Sequence, residues 1–268
     1  CDAVHGSLNL VQAIAHSCDI YFYELGMRLD VDDINAAAAK YGLLEKTVID
    51  LPHEVTSRVP SRAWAKKFRP KEPKWYGGET ISVAIGQGQN ALTPIALARF
   101  YAMLATRGKL LTPHLIYGFR NEQTGKMDPF PPPASRDAGL DPRTWAVLDE
   151  GLFQVVEIGT AAASKIPGLT MVGKTGTSQV TTFVDKAHYA GLAKKFRDNA
   201  LFAGYAPREN AQIAFAVVLE NAGFGAASAA PIARKLCQYW FLDRPHKPLP
   251  PPRGKALESF YLDLKRQG

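Results

Sequence analysis

Hydrophobic residues in the first forty positions of the chain recur every three or four residues, as on one face of an amphipathic helix. The polar triplet Ser17-Cys18-Asp19 interrupts this pattern, so two helices with a break at these residues are predicted. The alanine-rich stretch from Asp32 to Tyr41 predicts a third helix, which ends before Gly42 because glycine commonly follows a helix. Further helices are predicted from Pro94 to Thr106, from Asp141 to about Val156 and from Ala230 to Phe241.

β-Branched and aromatic residues become more frequent after Thr170, and this composition favours strands. A strand is predicted through LTMVGKTG (169–176), a second in SQVTTFV (178–184), and two more on either side of a turn at 207–210. Because helices come first and a β-meander follows, we expect an α+β fold rather than alternating βαβ units. Earlier in the chain, residues 110–127 are predicted to form a hairpin, 80–85 a strand before the Gly86-Gln87-Gly88 turn, and 58–79 an irregular surface loop.

The composition is that of an ordinary globular protein, with 46% hydrophobic and 21% charged residues among 268. The net charge of +7 suits an anionic polymer, a membrane surface or simple solubility, and does not choose among them. The three cysteines do not indicate a disulfide framework, and the six histidines lack the spacing of metal ligands. No metal site is therefore expected. We expect one folded unit over residues 1–242 and a proline-rich tail at 243–268.

Residues 168–178, GLTMVGKTGTS, match the pattern G-x-x-x-x-G-K-[ST] of a phosphate-binding loop. Such a loop needs a buried strand before it and a helix directly after the lysine, whose N-terminus holds the phosphate. Here the residues before Gly168 are small and polar, and those after Thr175 are β-branched types that disfavour a first helical turn. The sequence therefore argues against a nucleoside triphosphatase.

The same segment contains K-T-G at 174–176, directly after the apolar run LTMV (169–172), which places the triplet on a strand. Since side chains alternate along a strand, Lys174 is predicted on one face and Thr175 and Thr177 on the other. Two hydroxyls beside a lysine can hold a carboxylate through charge-assisted hydrogen bonds. This pattern predicts a carboxylate-binding edge strand.

Several longer segments, in a shared order along the chain, make the sequence resemble one family. It is similar to the transpeptidase domain of class B penicillin-binding proteins, of the penicillin-binding protein 2 type that acts in cell elongation. The resemblance implies the penicillin-recognising serine transpeptidase or β-lactamase-like fold, an antiparallel sheet flanked by helices, here truncated at its N-terminal side. The segments that carry it are HGSLNLVQAIAHSCDIYFYELG (5–26), TISVAIGQGQNALTPIALA (80–98), VGKTGTSQV (172–180), FAGYAP (202–207) and AAPIARKL (229–236).

The family implies a peptidoglycan D,D-transpeptidase, which cross-links stem peptides at D-Ala-D-Ala through an acyl-serine intermediate and is the target of β-lactams. It implies no cofactor. Besides stem peptides and β-lactams, the partners expected for a full-length protein are a membrane glycosyltransferase and elongation-complex proteins. The expected location is the periplasmic face of the bacterial inner membrane, with an anchoring segment outside this chain. A non-catalytic interaction module, or a β-lactamase or β-lactam sensor of the same fold, are the alternatives.

The resemblance assigns catalytic roles to two separated motifs. Ser17 and Asp19 match the S-x-N element, with aspartate in the last position. Ser17 is implied to relay protons to and from the leaving amine, and Asp19 to hydrogen-bond the neighbouring lysine and the substrate backbone. From S-x-D alone, a helix-boundary cap would be the favoured explanation, and the surrounding resemblance reverses this preference. Lys174 of K-T-G is implied to supply positive charge near the Ser17 hydroxyl.

Substrate binding is implied for the rest of the second motif. Thr175 and Thr177 are implied to hold the carboxylate of D-Ala-D-Ala or of a β-lactam. The Thr177 N–H is implied to be one of two oxyanion donors, a kind of contact whose loss elsewhere costs about 3 kcal/mol. Gly176 lies between the two threonines and belongs to the same substrate-binding set.

The nucleophile motif of the family, S-x-x-K, is missing from this chain, since no serine has lysine three residues later. In that motif the lysine lies one helical turn on and can take the hydroxyl proton. The nearest analogue, Thr106-Arg107-Gly108-Lys109, lies at a predicted helix end and is a poor nucleophile site. Because S-x-x-K precedes S-x-N in the family, we expect it upstream of Cys1, with a pseudo-enzyme as the alternative. The chain alone is expected to be inactive.

Residues 58–78 interleave lysine and arginine with tryptophan, phenylalanine and tyrosine, a composition that can bind single-stranded nucleic acid. No nucleic-acid-binding module accompanies this segment. A solvated loop beside a cleft is therefore the favoured interpretation, and no nucleic-acid partner is expected.

Overall fold

A computed structural model describes residues 4–131, 133–180, 189 and 191–243. Within these residues the α-helices are α1 (Leu10–His16), α2 (Asp19–Arg28), α3 (Val31–Lys40), α4 (Arg62–Phe68), α5 (Gly77–Ala84), α6 (Pro94–Ala105), α7 (Pro142–Glu157) and α8 (Gly225–Gln238), the last continuing as a π-helix at Tyr239–Asp243. The strands are β1 (Lys109–Leu110), β2 (Gly118–Arg120), β3 (Met127–Pro129), β4 (Arg136–Asp137), β5 (Val172–Ser178), β6 (Asn199–Ala206) and β7 (Ile213–Leu219).

The central sheet is antiparallel and has the order β5-β6-β7. Its register places Phe202 of β6 opposite Thr175 of β5 and Val217 of β7. Helix α7 packs on β5, α6 packs on β6 and β7, and α8 contacts all three strands. Among the described strands, β5 pairs only with β6, so its other edge is open. The predicted α+β class, with an antiparallel sheet flanked by helices, is confirmed.

Two hydrophobic clusters support this arrangement. The larger one lies between the sheet and helices α1, α6, α7 and α8, and its fully buried members include Val155, Phe202 and Tyr205. The smaller one joins α3, α4 and α5 away from the sheet. Its buried members are Val31, Ala38, Val59, Ala65, Trp75 and Val83.

Most of the predicted elements are confirmed. The first pattern breaks into α1 and α2 at Ser17-Cys18, and α3, α6 and α7 begin and end within a residue or two of the predicted positions. The hairpin predicted at 110–127 is formed by β2 and β3, and the turn at 207–210 joins β6 to β7. The last helix begins at Gly225, five residues before Ala230, and the absence of a side chain at Gly225 lets its first turn lie directly against β5.

The irregular loop predicted at 58–79 is wrong, because this segment contains α4 and the start of α5. Ser61 caps α4 by accepting a hydrogen bond from the Trp64 N–H at 3.0 Å. The Trp75 ring is buried, and the Arg69 guanidinium lies over it at 5.3 Å. The aromatic side chains thus organise a packed unit rather than a solvated loop.

The strand predicted at 80–85 is also wrong, because α5 covers Gly77–Ala84. Thr80 and Val83 are buried at helical spacing, and Gly26 of α2 lets the two helices approach so closely that a Cβ there would lie 2.9 Å from Ala84. Packing therefore overrides the strand preference of the β-branched residues. Of the strand predicted at 178–184, only Ser178 belongs to β5; residues 181–184 lie outside the described residues, as does the tail from 244 onwards.

A buried polar network ties α7 to the sheet. Asp149 of α7, whose side chain is 5% exposed, accepts hydrogen bonds from the Tyr205 hydroxyl and, at 2.7 Å, from Arg208 Nε. Arg208 Nη2 also donates to Glu150 at 2.7 Å, and the guanidinium lies 4.1 Å from the centre of the Phe153 ring. A buried charge is tolerated only when it is paired and hydrogen-bonded, so this network fixes the position of α7.

We predict that Asp149→Ala destabilises the fold by about 3–5 kcal/mol, because Arg208 and the Tyr205 hydroxyl lose their buried partner. Glu150→Ala, which removes a 41% exposed partner of the same arginine, is the matched control and costs less than about 1 kcal/mol. Differential scanning calorimetry of the protein measures both effects. Equal losses for the two variants would contradict the assigned role of Asp149.

Candidate active site

The S-x-D motif forms the junction between α1 and α2. Ser17 ends α1 in the left-handed conformation, with φ 52° and ψ 53°. Its N–H donates to the Ile14 carbonyl at 3.2 Å, and the Cys18 N–H donates to the Ala13 carbonyl at 3.0 Å. Asp19 is the first residue of α2. A residue other than glycine in this conformation costs about 1–2 kcal/mol, so the surrounding packing holds Ser17 in place.

Helix α1 is fixed where it meets the end of α7. A Cβ on Gly159 would lie 2.1 Å from the Ala15 carbonyl oxygen, so only glycine allows this approach. The next residue, Thr160, donates its N–H to the same carbonyl at 3.2 Å. A similar fit occurs where a Cβ on Gly151 would meet Ile14 at 2.9 Å. These contacts set the position of the Ser17 turn.

The K-T-G motif lies inside β5, as predicted, and β5 has an open edge. Residues 174–178 continue as strand, so a helix does not follow the lysine and the geometry of a phosphate-binding loop is absent there. Gly173 makes room for the neighbouring strand, since a Cβ there would lie 2.6 Å from the Ala203 carbonyl oxygen. Gly225, the first residue of α8, also lies against β5, since a Cβ added there would be 2.3 Å from the Gly176 carbonyl oxygen.

Lys174 connects the two motifs electrostatically. The residue is partly exposed, but its ammonium end is surrounded by protein atoms. This loss of hydration lowers the pKa of Lys174 to about 8, while the negative charge of Asp19 acts in the opposite direction. The structure thus places the carboxylate of S-x-D where its charge acts on the lysine of K-T-G, although the two are 155 positions apart (174 minus 19).

The Lys174 ammonium also reaches the next residue of its own strand. Its Nζ donates to the Thr175 carbonyl at 3.1 Å and lies 3.5 Å from the Thr175 hydroxyl. Alternation along the strand predicts opposite faces for these two side chains, but the flexible lysine stem bends back to the strand. The charge and the hydroxyl are therefore adjacent.

Both threonine hydroxyls have further partners. The Thr175 hydroxyl oxygen lies 2.7 Å from the Thr160 hydroxyl oxygen, and the Thr177 hydroxyl accepts a hydrogen bond from the Gly225 N–H at 3.4 Å. Thr160 follows α7, and Gly225 begins α8. The segment after α7 and the start of α8 thus each contribute a group that contacts one threonine hydroxyl.

The open edge of β5 is partly occupied by the G-Q-G turn. Gln87 Nε2 donates to the Thr177 carbonyl at 2.6 Å, and Gln87 Oε1 accepts from the Gln179 N–H at 3.3 Å. In an antiparallel strand, the N–H and C=O of one residue point the same way, so the Thr177 N–H also faces the edge away from β6. A carbonyl oxygen at that edge could accept this hydrogen bond.

Thr160 and the side chain of Gln87 are site residues that the sequence did not reveal. Thr160 lies in GTAAASK, a small and polar segment without a recognisable pattern, and Gln87 lies in the predicted Gly86-Gln87-Gly88 turn, whose pattern indicates a change of chain direction and no contact with a substrate-binding strand. Their roles depend on contacts with residues 15 and 90 positions away in the chain (175 minus 160, and 177 minus 87). No local signal reports such contacts.

Other classes of site find little support in the described part of the chain. It contains no group of three or more histidine, cysteine or acidic side chains arranged to hold a metal ion. None of its helices has the length and apolar character needed to cross a bilayer. In the basic segment, Arg58 and Arg69 lie over the Trp64 ring at 5.3 and 5.8 Å, so this ring is already engaged within the protein.

Comparison with known proteins shows which family contains this arrangement of motifs. The family model for the penicillin binding protein transpeptidase domain matches residues 2–238, which is most of the chain. The chain belongs to this family. The matched transpeptidase domain includes both the S-x-D turn and the K-T-G strand.

Several relatives share this domain. The chain is 35% identical over 257 residues to the peptidoglycan D,D-transpeptidase MrdA of Acinetobacter baumannii, with 92% of this chain and 36% of that protein aligned. It matches Pseudomonas aeruginosa PBP2 in complex with WCK 5153 at 36% identity and a TM-score of 0.72, over 90% of this chain and 49% of that one. It also matches the complex between PBP2 and MreC from Helicobacter pylori at 26% identity and a TM-score of 0.74, over 89% and 41%. The chain thus spans well under half the length of the Acinetobacter protein.

We predict that the Lys174 ammonium titrates with a midpoint near pH 8 in the folded transpeptidase domain. Asp19→Asn should lower this midpoint further, because it removes the negative charge that favours the protonated lysine. The Cε chemical shift of ¹³C-labelled lysine in the full-length natural protein, assigned with Lys174→Arg, measures the midpoint.

The titration of Lys174 also makes the free energy of unfolding depend on pH. Because the folded pKa lies below the unfolded value, the unfolded chain binds the extra proton between pH 8 and about 10.5. The lysine's contribution to the free energy of unfolding therefore rises with pH in this window. Asp128→Asn, on the distant hairpin strand β3, is the control and should leave the midpoint unchanged. An unshifted midpoint in Asp19→Asn would refute the coupling.

Proposed function

We propose that this chain is the part of a peptidoglycan D,D-transpeptidase of the penicillin-binding protein 2 type that binds the substrate and moves protons. The observation that carries the proposal is the K-T-G motif on the open edge of β5, where Lys174 Nζ lies 3.5 Å from the Thr175 hydroxyl and the charge of Asp19 acts on the lysine. The family match and the similarity to MrdA support the reaction class. The substrates proposed are stem peptides ending in D-Ala-D-Ala, and β-lactams as their mimics.

Substrate binding is assigned to Thr175, Gly176 and Thr177. The carboxylate accepts hydrogen bonds from the two threonine hydroxyls and is attracted by the Lys174 ammonium 3.5 Å from the first of them. Gly176 presents no side chain to an approaching ligand, and its carbonyl oxygen would lie 2.3 Å from a Cβ on Gly225 at the start of α8. The scissile carbonyl lies along the open edge of β5, where the Thr177 N–H is one donor to the developing oxyanion.

Proton transfer is assigned to the S-x-D turn. The Ser17 hydroxyl relays a proton to the leaving amine, and the Lys174 charge favours this transfer. Asp19 keeps Lys174 protonated near neutral pH by raising its pKa against the effect of burial. Electrostatic groups fixed before the reaction need no reorganisation during it, and this agrees with the rigid setting of Ser17 between α1 and α2.

The nucleophile is proposed to be the serine of an S-x-x-K outside these 268 residues, since no serine here has lysine three positions later. The full-length protein is proposed to be anchored in the inner membrane with this domain in the periplasm. The Helicobacter PBP2–MreC complex supports elongation-complex proteins as partners, and a membrane glycosyltransferase is proposed beside them.

We predict that the full-length natural protein forms a covalent adduct with fluorescent penicillin that survives boiling and gel electrophoresis, whereas the 268-residue chain forms none. Lys174→Ala should slow acylation of the full-length protein about 10- to 100-fold, because a charge-assisted contact to the carboxylate is lost. Lys126→Ala, in the hairpin turn between β2 and β3, is the matched control and should leave the rate unchanged.

Other outcomes would separate the alternative functions. An adduct on the 268-residue chain would place a nucleophile within it and contradict the proposal. Rapid turnover of a chromogenic cephalosporin without accumulated adduct would indicate a β-lactamase. No adduct on the full-length protein would indicate a non-catalytic module.

A further inference from the structure

Thr160 links the two motifs of the site although it belongs to neither. It follows the end of α7, where its N–H donates to the Ala15 carbonyl at 3.2 Å, two residues before Ser17. Its hydroxyl oxygen lies 2.7 Å from that of Thr175 on the K-T-G strand. The close approach of Gly159 to Ala15 fixes the backbone at this point. A single residue thus contacts the helix that ends at S-x-D and the strand that carries K-T-G.

The Thr175 hydroxyl can make three hydrogen bonds, one as donor and two as acceptor. The Lys174 ammonium, 3.5 Å away, can only donate to it. Thr160 can donate or accept, and a bound carboxylate can only accept. When a carboxylate is present, the consistent arrangement has Thr160 and Lys174 donating to the Thr175 oxygen, which leaves the Thr175 proton for the carboxylate.

We propose that Thr160 is a positioning residue, whose hydroxyl donates to Thr175 and thereby directs the Thr175 proton toward the substrate carboxylate. This inference rests on the proposed function, because it takes Thr175 as a carboxylate-binding group. Thr160 itself does not touch the substrate. Its effect is confined to ligands that carry the carboxylate, and this distinguishes positioning from a general contribution to folding.

The test uses the full-length natural protein and two penicillin probes, one with the free carboxylate and one as its methyl ester. Saturation kinetics of acylation separate the half-saturating concentration from the limiting rate. Thr160→Val keeps the shape but removes the hydroxyl. It should raise the half-saturating concentration of the acid about 3- to 10-fold, as expected for one lost hydrogen bond. The limiting rate with the acid, and both kinetic constants with the ester, should stay nearly unchanged.

Two further variants serve as controls. Thr160→Ser restores the hydroxyl and should recover the behaviour of the unchanged protein toward the acid. In a double-mutant cycle, Thr160→Val should add little once Thr175→Val has removed the hydroxyl through which it acts. If Thr160→Val does not fold, Thr160→Ala gives the same comparison against Thr160→Ser.

The outcomes separate this inference from the proposed function. Equal losses for acid and ester, or additive effects in the cycle, would overturn the role of Thr160 while acylation of the unchanged protein still supports a transpeptidase. If the unchanged protein is not acylated by either probe, the proposed function fails and the role of Thr160 fails with it. The inference would be supported if Thr160→Val weakens binding of the acid but not of the ester, and Thr160→Ser restores binding of the acid.

Discussion

The site depends on the balance between two effects on the Lys174 ammonium: its burial and the negative charge of Asp19. Burial alone would favour a neutral lysine, and a neutral amine attracts a carboxylate poorly. The carboxylate of Asp19 opposes this effect, but only while the start of α2 keeps its position relative to Lys174. The α1–α2 junction, the end of α7 and the sheet must therefore be held in register with one another.

Close backbone approaches maintain this register. Gly159 lets the end of α7 reach Ala15, Gly225 lets the start of α8 reach Gly176, and Gly173 admits Ala203 from the next strand. At each of these places a Cβ would overlap a carbonyl oxygen, so even alanine would push the elements apart. The Asp149–Arg208 pair holds the middle of α7 to the turn that follows β6. The geometry of the site thus follows from packing between backbones as much as from the motifs.

The sequence predicted those features that local patterns express. The break at Ser17-Cys18, the strand through Lys174 and the β6–β7 hairpin follow from periodicity and turn residues, and all three are confirmed. The strand predicted at 80–85 was wrong, since burial of Thr80 and Val83 against neighbouring helices decided its conformation. Thr160 was missed because its two contacts join residues distant in the chain. Tertiary contacts of this kind leave no trace in one local segment.

The site also shows why stability and chemistry oppose each other here. The left-handed Ser17 and the dehydrated Lys174 both cost free energy, and neither improves the hydrophobic core. Glycine at position 17 would remove the cost of the left-handed backbone, but it would also remove the hydroxyl assigned to proton transfer. A neutral side chain at position 174 would remove the cost of burying a charge, but it would also remove the ammonium assigned to carboxylate binding. Such features persist only where the surrounding structure is rigid enough to impose them. In this domain, that rigidity comes from the glycine contacts, some of them on β5 itself, and from the Asp149 network between α7 and the end of the sheet.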